Sequence, residues 1–186
     1  MSTATPTALI TAEQFAEMNL DGPYELVCGE IVEMTRPGGV HGFVCSKVSS
    51  RLDQWAETTD FGCVIGNDAG IRTAPKSVRG PDLMLVPWSQ LPNRQLPVGW
   101  FETPPVLIVE VFSPSDRWNK MLAKVAEYHE AGVAEVWVVK PSSRSVHVFG
   151  LDTDPIQLSQ ESMLASRHLP GFQCAVASLF PPEGGI

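Results

Sequence analysis

Residues 105–115 read PVLIVEVFSPS, and in this segment an acid closes a short apolar run. Four aliphatic residues precede Glu110, and a short apolar run bounded by turn-forming residues is typical of a buried strand. A second run of this kind, LMLV at residues 83–86, follows directly after Pro81-Asp82. The sequence therefore predicts two buried strands with a carboxylate at one end of each, where burial is costly unless the acid is paired or binds a metal.

A helix is predicted directly after the first stretch, over residues 114–131. Ser113 can cap its N-terminus, and Gly132 can end it. In helical projection, Lys124 lies at the border of the apolar stripe, whereas Lys120 lies further toward solvent. Lys124 is therefore the better placed of the two lysines to reach into the protein.

Asp82, Glu110 and Lys124 together have the composition of a metal site for phosphodiester hydrolysis. Two carboxylates from neighbouring strands can bind a hard cation such as Mg²⁺ through oxygen. The cation can polarise a phosphate and activate water, and a lysine can orient that water or offset developing charge. From the residues alone a structural interpretation is open as well, with Asp82 as a turn acid and Lys124 as a boundary lysine whose stem packs on the surface.

The rest of the chain predicts further elements around this unit. Residues 1–10 are expected to form a flexible tail, and residues 11–186 a single domain. Thr11 can cap a short helix over residues 11–18, and Cys28-Gly29 can form the turn of a hairpin. The other predicted elements are a helix at residues 41–57 and strands at residues 24–27, 30–34, 61–65, 69–72, 135–139 and 145–149. This order predicts an α/β (α+β) domain with one central sheet and helices packed on it.

Composition limits the functional classes. The chain of 186 residues has a formal net charge of −8 and four scattered cysteines without a Cys-x-x-Cys pair. The negative charge argues against non-specific nucleic-acid binding, but not against an enzyme that meets DNA through a local basic face. Candidates for that face are Arg36, Lys47, Arg51, Lys76 and Arg79. Without a bilayer-length apolar run or a secretory signal, we expect a cytoplasmic protein with reduced thiols and no membrane contact.

Several motifs between residues 24 and 180 carry a resemblance to a known family. They are YELVCGE at residues 24–30, His41, RGPD at 79–82, PPVLIVEVFSPS at 104–115, KVAEY at 124–128 and AGVAEVW at 131–137. In this order the chain resembles the restriction endonuclease family of the PD-(D/E)XK nuclease superfamily. The resemblance implies a restriction-endonuclease-like core, in which helices flank a central mixed β-sheet, together with an N-terminal helix and β-hairpin.

The resemblance also implies roles for individual residues. Asp82 and Glu110 would bind Mg²⁺ or Mn²⁺, helped by the backbone carbonyl of Val111. Most of the superfamily carries a lysine two positions after the second acid, where this chain has Phe112; in similar sequences the lysine has moved to the following helix, which matches Lys124. The supporting positions around the same cleft are Glu30, His41 and Tyr128. From the residues alone, Glu30 is equally a solvated hairpin acid, and His41 is a surface or capping histidine.

Three functional hypotheses follow. The first is a metal-dependent DNA endonuclease that hydrolyses phosphodiesters with a metal-activated water. The second is a catalytically silent nuclease fold that serves as a DNA- or protein-binding module. The third is a metal-dependent hydrolase of a small phosphodiester or nucleotide. A homodimer is expected for an enzyme that cuts both strands, because a two-fold protein matches a two-fold duplex.

Overall fold

The computed structural model describes residues 9–18, 20–66 and 69–182. Most of the tail predicted for residues 1–10 lies outside the described residues, as does Asp68, for which a turn is the simplest prediction. Ile10, by contrast, is held against the protein. Its N–H donates a hydrogen bond to the carbonyl of Gly29 at 3.0 Å, and its side chain packs against a small apolar cluster.

The central sheet is mixed, as predicted. In spatial order its strands are β10 (Ile156–Leu158), β9 (Ser145–Gly150), β8 (Glu135–Lys140), β7 (Leu107–Val111), β6 (Leu83–Pro87) and β3 (Gly62–Gly66). Strands β7 and β8 run parallel, and the other neighbouring pairs run antiparallel. Every residue of β6 and β7 is buried, which agrees with the two apolar runs that predict buried strands.

Two helices cover opposite faces of this sheet. They are α2 (Gly39–Thr59) and α3 (Trp118–Glu130). Successive side chains of a strand point to opposite faces of the sheet, and here both faces carry apolar side chains. The face toward α2 includes Leu83, Leu85, Leu107 and Val109, and the face toward α3 includes Met84, Val86 and Ile108. The predicted arrangement of helices flanking a central sheet is therefore confirmed.

The N-terminal helix and hairpin belong to a second, smaller sheet. In spatial order its strands are β2 (Glu30–Glu33), β1 (Tyr24–Val27), β5 (Ser77–Arg79) and β4 (Ile71–Ala74), and the helix is α1 (Ala12–Ala16). Thr11 caps α1, as predicted, and it does so through a reciprocal pair of hydrogen bonds with Gln14. Cys28 and Gly29 both have positive φ, as a tight two-residue hairpin turn requires.

Several short strands escape prediction from the sequence. They are β5, β10 and a two-stranded sheet made of β11 (Met163–Ala165) and β12 (Gln173–Ala175). Each of them has three residues, which is too short to display an alternating pattern.

Helix α3 begins later than predicted. Ser113 was expected to cap it, but the helix starts at Trp118, and its N-cap Arg117 makes no side-chain cap. The carboxylate of Asp116 instead accepts a hydrogen bond from the N–H of Ser113 at 2.7 Å, and the N–H of Asp116 donates to the carbonyl of Ser113 at 3.0 Å. This local turn competes with the first helical turn, as side chains of this type often do. Gly132 follows the helix with φ +99°, as predicted.

All four cysteines are thiols rather than disulfides. Within the described part of the chain, no helix combines the length and the apolar character that crossing a membrane requires.

Candidate metal centre

Asp82 and Glu110 come together because β6 and β7 are antiparallel neighbours. Leu83 pairs with Val109, so Asp82, which precedes β6, stands level with Glu110 near the end of β7. The N–H of Val111 donates a hydrogen bond to Oδ2 of Asp82 at 2.6 Å. This bond ties the carboxylate of Asp82 to the end of the strand that carries Glu110.

Glu110 is a buried acid with two donors. Its side chain is about 6% exposed. The hydroxyl of Tyr128 donates to Oε1 of Glu110 at 2.6 Å, and Nζ of Lys124 lies 2.9 Å from the same oxygen. Burial raises the pKa of Glu110 to about 7; Lys124 opposes this rise, and the negative charge of Asp82 adds to it. Near neutral pH this carboxyl is therefore poised between its two protonation states.

Lys124 lies between two carboxylates. Besides Glu110, its Nζ contacts Oε1 of Glu25 at 3.1 Å, and its side chain is 12% exposed. Burial alone would lower the pKa of Lys124, but the two carboxylates outweigh this effect and raise it above the ordinary value. Lys124 thus remains an ammonium at neutral pH, so it can act through its charge and its protons but not as a base.

Glu25, on β1, joins the second sheet to this cluster, and sequence reasoning does not assign it a role. It accepts hydrogen bonds from Arg79 at 2.9 Å and from the N–H of Gly80 at 3.0 Å. Burial raises the pKa of Glu25, but Lys124 and Arg79 outweigh burial and lower it, so this acid is ionised. Arg79 in turn pairs with Glu127 of α3. The one signal in the sequence is that Glu25 belongs to the YELVCGE motif and stands next to a buried leucine.

His41, in the first turn of α2, faces Asp82 from the other side of the sheet. Its Nε2 lies 3.1 Å and 3.2 Å from the two carboxylate oxygens of Asp82, and its Nδ1 lies 3.4 Å from Sγ of Cys45. The hydrogen bond with Asp82, together with that to Cys45, raises the pKa of His41 to about 10, against the effect of burial. A protonated His41 donates to Asp82 and fixes the orientation of that carboxylate.

Two sets of side chains could hold a metal ion. Ligand atoms of His41, Cys45 and Asp82 lie within 4.8 Å of one another. However, the imidazole of His41 uses a different nitrogen toward each of the other two, so one ion cannot take the place of both contacts. This geometry suits a histidine that orients Asp82 better than it suits a metal ligand.

Asp82 and Glu110 form the second set and fit a hard divalent cation better. In an extended strand, the N–H and C=O of one residue point to the same edge, so the carbonyl of Val111 faces the same edge as the N–H that Asp82 accepts. Two carboxylates and one carbonyl are the oxygen ligands that Mg²⁺ and related ions take. The repulsion between Asp82 and Glu110, which helps to raise the pKa of Glu110, is the kind of strain that a bound cation relieves.

Most of the predicted site residues meet here, but Glu30 does not. Asp82, Glu110, Lys124, His41 and Tyr128 make the contacts described above. Glu30 is exposed on the edge strand β2, opposite Val27 and next to the hairpin turn, and no described contact joins it to this cluster. Glu25 is the acid of this hairpin that reaches the cluster.

Arg79 likewise does not belong to an open basic face. Its side chain is 12% exposed and lies between Glu25 and Glu127, which neutralise it.

Comparisons with known proteins show the family of the chain and a similar fold. No curated protein matches the sequence. The fold is similar to that in the crystal structure of a "putative nuclease belonging to DUF820" from Anabaena variabilis, with a TM-score of 0.80 and 17% identity over 92% of this chain and 97% of that one. The model of the Uma2 family, described as "Putative restriction endonuclease", matches residues 12–177. The chain therefore belongs to the Uma2 family of nuclease-like proteins.

Proposed function

We propose that this protein is a nuclease that hydrolyses DNA phosphodiester bonds with Mg²⁺ or Mn²⁺. One observation carries the proposal. Two carboxylates from neighbouring strands, Asp82 and Glu110, stand level with each other, and the ammonium of Lys124 lies 2.9 Å from the second. Membership of the Uma2 family supports the same reaction class.

Asp82, Glu110 and the carbonyl of Val111 are the proposed ligands of the cation. Once bound, a divalent cation polarises the phosphate and makes water a better nucleophile. The protein's own groups prepare for this chemistry. His41 contacts both oxygens of Asp82, and the hydroxyl of Tyr128 fixes Oε1 of Glu110, so both carboxylates are oriented before substrate binds.

Lys124 supplies positive charge where negative charge develops on the phosphate. Its pKa is raised by its two carboxylate neighbours, so it carries its proton through the reaction. An ammonium held by buried acids is oriented in advance, which makes its electrostatic effect on the transition state larger than that of a mobile lysine.

A catalytically silent binding module is the alternative, and one observation favours it. Lys124 is fully engaged by Glu25 and Glu110, so its charge is already balanced before any phosphate arrives. A site of this kind could serve to hold the sheets together while the fold contacts DNA or another protein elsewhere.

Cleavage and metal binding separate these two functions. Supercoiled plasmid and single-stranded DNA are incubated with the protein in Mg²⁺, Mn²⁺ or EDTA, beside the variants Asp82→Ala, Lys124→Ala and Glu30→Gln. We expect metal-dependent cleavage that is lost in the first two variants and kept in Glu30→Gln, whose acid lies outside the cluster. Calorimetric titration with Mn²⁺ measures metal binding independently of cleavage.

Each outcome decides between the alternatives. Equal cleavage by Asp82→Ala would indicate a contaminating nuclease and refute the site assignment. Metal binding without cleavage of either DNA would favour the silent module, unless a small chromogenic phosphodiester is hydrolysed, which would favour the small-molecule hydrolase.

The remaining attributes of this proposal are cytoplasmic action, a single unit over residues 11–186 and a homodimer on duplex DNA. The dimer follows from the two-fold symmetry of the duplex. Sedimentation with and without duplex DNA tests it, and a monomer under both conditions would contradict it.

A further inference from the structure

Phe112, Trp118 and Lys140 form an aromatic patch with a positive charge, which we term the aromatic–lysine patch. Nζ of Lys140 lies 4.8 Å from the ring centroid of Trp118 and 5.3 Å from that of Phe112. The two rings meet edge to face, with centroids 5.6 Å apart. All three side chains are partly exposed, and both rings also pack against the core on the α3 face.

The patch adjoins the candidate metal centre. Phe112 directly follows β7, and its N–H donates to the carbonyl of Val139 on the parallel neighbour β8, which Lys140 ends. Since side chains alternate along a strand, Phe112 lies on the same face as Glu110, about 7 Å further along the chain. Neighbouring nucleotides of one strand could therefore reach the metal centre and the patch together.

Among the described residues, no acid balances the charge of Lys140. Lys124 and Arg79 are each held between two carboxylates, and Arg94 pairs with Asp60, but no described carboxylate forms an ion pair with Lys140. Two more exposed cationic residues, Arg117 and Lys120, flank Trp118 at the start of α3 and have no described ion pair either. In a chain with a net charge of −8, three cationic side chains thus lie near Trp118, with Asp116 as the adjoining acid.

His147 adds a polar atom to the same cluster. Its ring centroid lies 4.8 Å from that of Trp118, and its buried Nε2 has no hydrogen-bond partner among the described residues. His147 thus belongs to the aromatic surroundings of Trp118.

We propose that the aromatic–lysine patch binds an unpaired nucleotide of single-stranded or locally opened DNA, next to the phosphate that is cleaved. This inference rests on the proposed nuclease function. Trp118 and Phe112 would stack on a base, and Lys140 would contact a phosphate of the backbone. Aromatic platforms beside positive charge are a general means of holding single strands, because every base has a π-face, whereas the bases of an intact duplex are not accessible for such stacking.

A purely intramolecular role for the patch makes a different prediction. If Lys140 only packs on the rings, replacing it changes the stability of the protein and leaves affinity for DNA unaltered. Binding measurements therefore distinguish the two roles.

The experiment is fluorescence anisotropy with a labelled oligothymidylate, and with a duplex of the same length, in EDTA so that no cleavage occurs. The variants are Trp118→Leu, Trp118→Phe and Lys140→Gln. The matched controls are Trp88→Leu and Arg94→Gln, because Arg94 lies 5.6 Å from the ring centroid of Trp88 and forms a similar cation–aromatic pair. This pair follows the Pro87 end of β6, whereas Asp82 precedes the other end of that strand. Thermal unfolding checks that each variant is folded.

We expect Trp118→Leu to weaken oligothymidylate binding by about 5- to 150-fold, the usual range for the loss of one stacking ring, and Trp118→Phe to retain most of the affinity. Lys140→Gln should reduce the slope of log affinity against log salt by about 0.7, as expected for one lost phosphate contact to a single strand. The controls should change neither quantity, although Arg94→Gln removes the same charge.

Three results would overturn the inference: no binding of oligothymidylate by the natural protein, equal effects of the Lys140 and Arg94 variants, or equal losses for single strand and duplex. If Trp118→Leu does not fold, the salt dependence of Lys140→Gln still decides. Failure of the inference and of the proposed function are separable, since cleavage in Mg²⁺ or Mn²⁺ can persist without the patch, and strand binding can depend on the patch without cleavage.

Discussion

Glu25→Gln removes one negative charge from the buried cluster while leaving the shape of the side chain almost unchanged. Glu25 is 4% exposed, contacts Lys124 at 3.1 Å and Arg79 at 2.9 Å, and accepts the N–H of Gly80 at 3.0 Å. A glutamine can still accept from Lys124 or Gly80, but it cannot neutralise either cation. Its amide group would also place a donor against the guanidinium of Arg79.

The expected loss of stability depends on the ion-pair partners that Lys124 and Arg79 keep. Removing one member of a buried ion pair costs about 3–5 kcal/mol when the other charge is left uncompensated. Here Lys124 keeps Glu110 and Arg79 keeps Glu127, so we expect the free energy of unfolding to fall by a smaller amount, about 2–3 kcal/mol. For a chain of this size, that loss corresponds to a decrease in Tm of roughly 4–12 °C.

Urea denaturation followed by circular dichroism at neutral pH measures this effect, with Glu30→Gln as the matched control. Glu30 is the same residue type in the same hairpin, but it is exposed and makes no described contact with the cluster. Its replacement should change stability by less than about 0.5 kcal/mol. Equal stability losses for the two variants would refute the argument that buried charge pairing by Glu25 supports the site.

A double-mutant cycle with Lys124→Met isolates the contact between Glu25 and Lys124. If the two side chains stabilise each other, the double variant should lose less stability than the two single losses combined. The coupling energy of contacting residues is typically about 0.5–3 kcal/mol. Additive losses would mean that Lys124 is held by Glu110 alone.

Two further predictions concern the metal centre and the packing of the central sheet. The pKa of Glu110 is raised to about 7, so below that pH a cation must displace a proton from this carboxyl. Mn²⁺ affinity, measured by calorimetry, should therefore rise about tenfold per pH unit up to about pH 7 and then level off. The same dependence of affinity on pH in Glu110→Gln would exclude the proton on Glu110 as the cause. Gly62→Ala should destabilise the protein by several kcal/mol or prevent folding, because an added Cβ would lie 2.2 Å from the carbonyl oxygen of Val86 on β6. Gly42→Ala in α2, where nothing lies within 4 Å of an added Cβ, should instead stabilise the protein by about 0.5–1 kcal/mol. Thermal unfolding measures both effects.

The central sheet was predictable because its main strands are apolar runs that need no tertiary information. Strands β6, β7 and β8 are buried almost throughout, so their sequences are continuous rather than alternating. The inward direction of Lys124 was also predictable, since it depends only on the helical period and on the apolar stripe of α3.

The hairpin acids illustrate what the sequence could not decide. Glu25 and Glu30 lie five positions apart on the two strands of one hairpin, and an aliphatic residue follows each of them. Which of them is buried depends on Arg79 and Lys124, which arrive from β5 and α3. Only the pairing of β1 with β5 places Arg79 beside Glu25, and β5 is too short to be recognised from its own pattern.

The predicted start of α3 was wrong for a related reason. Ser113 has the composition of a helix cap, but Asp116 can satisfy the N–H of Ser113 in a local turn just as well. Both outcomes use the same residue types at the same spacing, so the sequence does not distinguish them.

The placement of the lysine on a helix has a consequence for the whole cluster. A lysine at position 112 would follow Glu110 on the same strand face, whereas Lys124 approaches from α3 and takes Glu25, on a strand of the second sheet, as its other partner. The hairpin is therefore part of the site rather than an appendage of the core.

The balance of charges in the cluster explains why Glu110 is the acid whose pKa is raised to about 7. In the cluster, four carboxylates (Glu25, Asp82, Glu110 and Glu127) face three cationic groups (His41, Arg79 and Lys124). With every acid ionised, one negative charge is left uncompensated in a buried place, and a buried charge without a partner takes up a proton instead. Glu110 is buried and lies beside the carboxylate of Asp82, so the proton goes there, and its pKa rises. A divalent cation bound by Asp82 and Glu110 would remove the need for that proton. The raised pKa of Glu110 therefore fits the proposal that this site exchanges a proton for a metal ion.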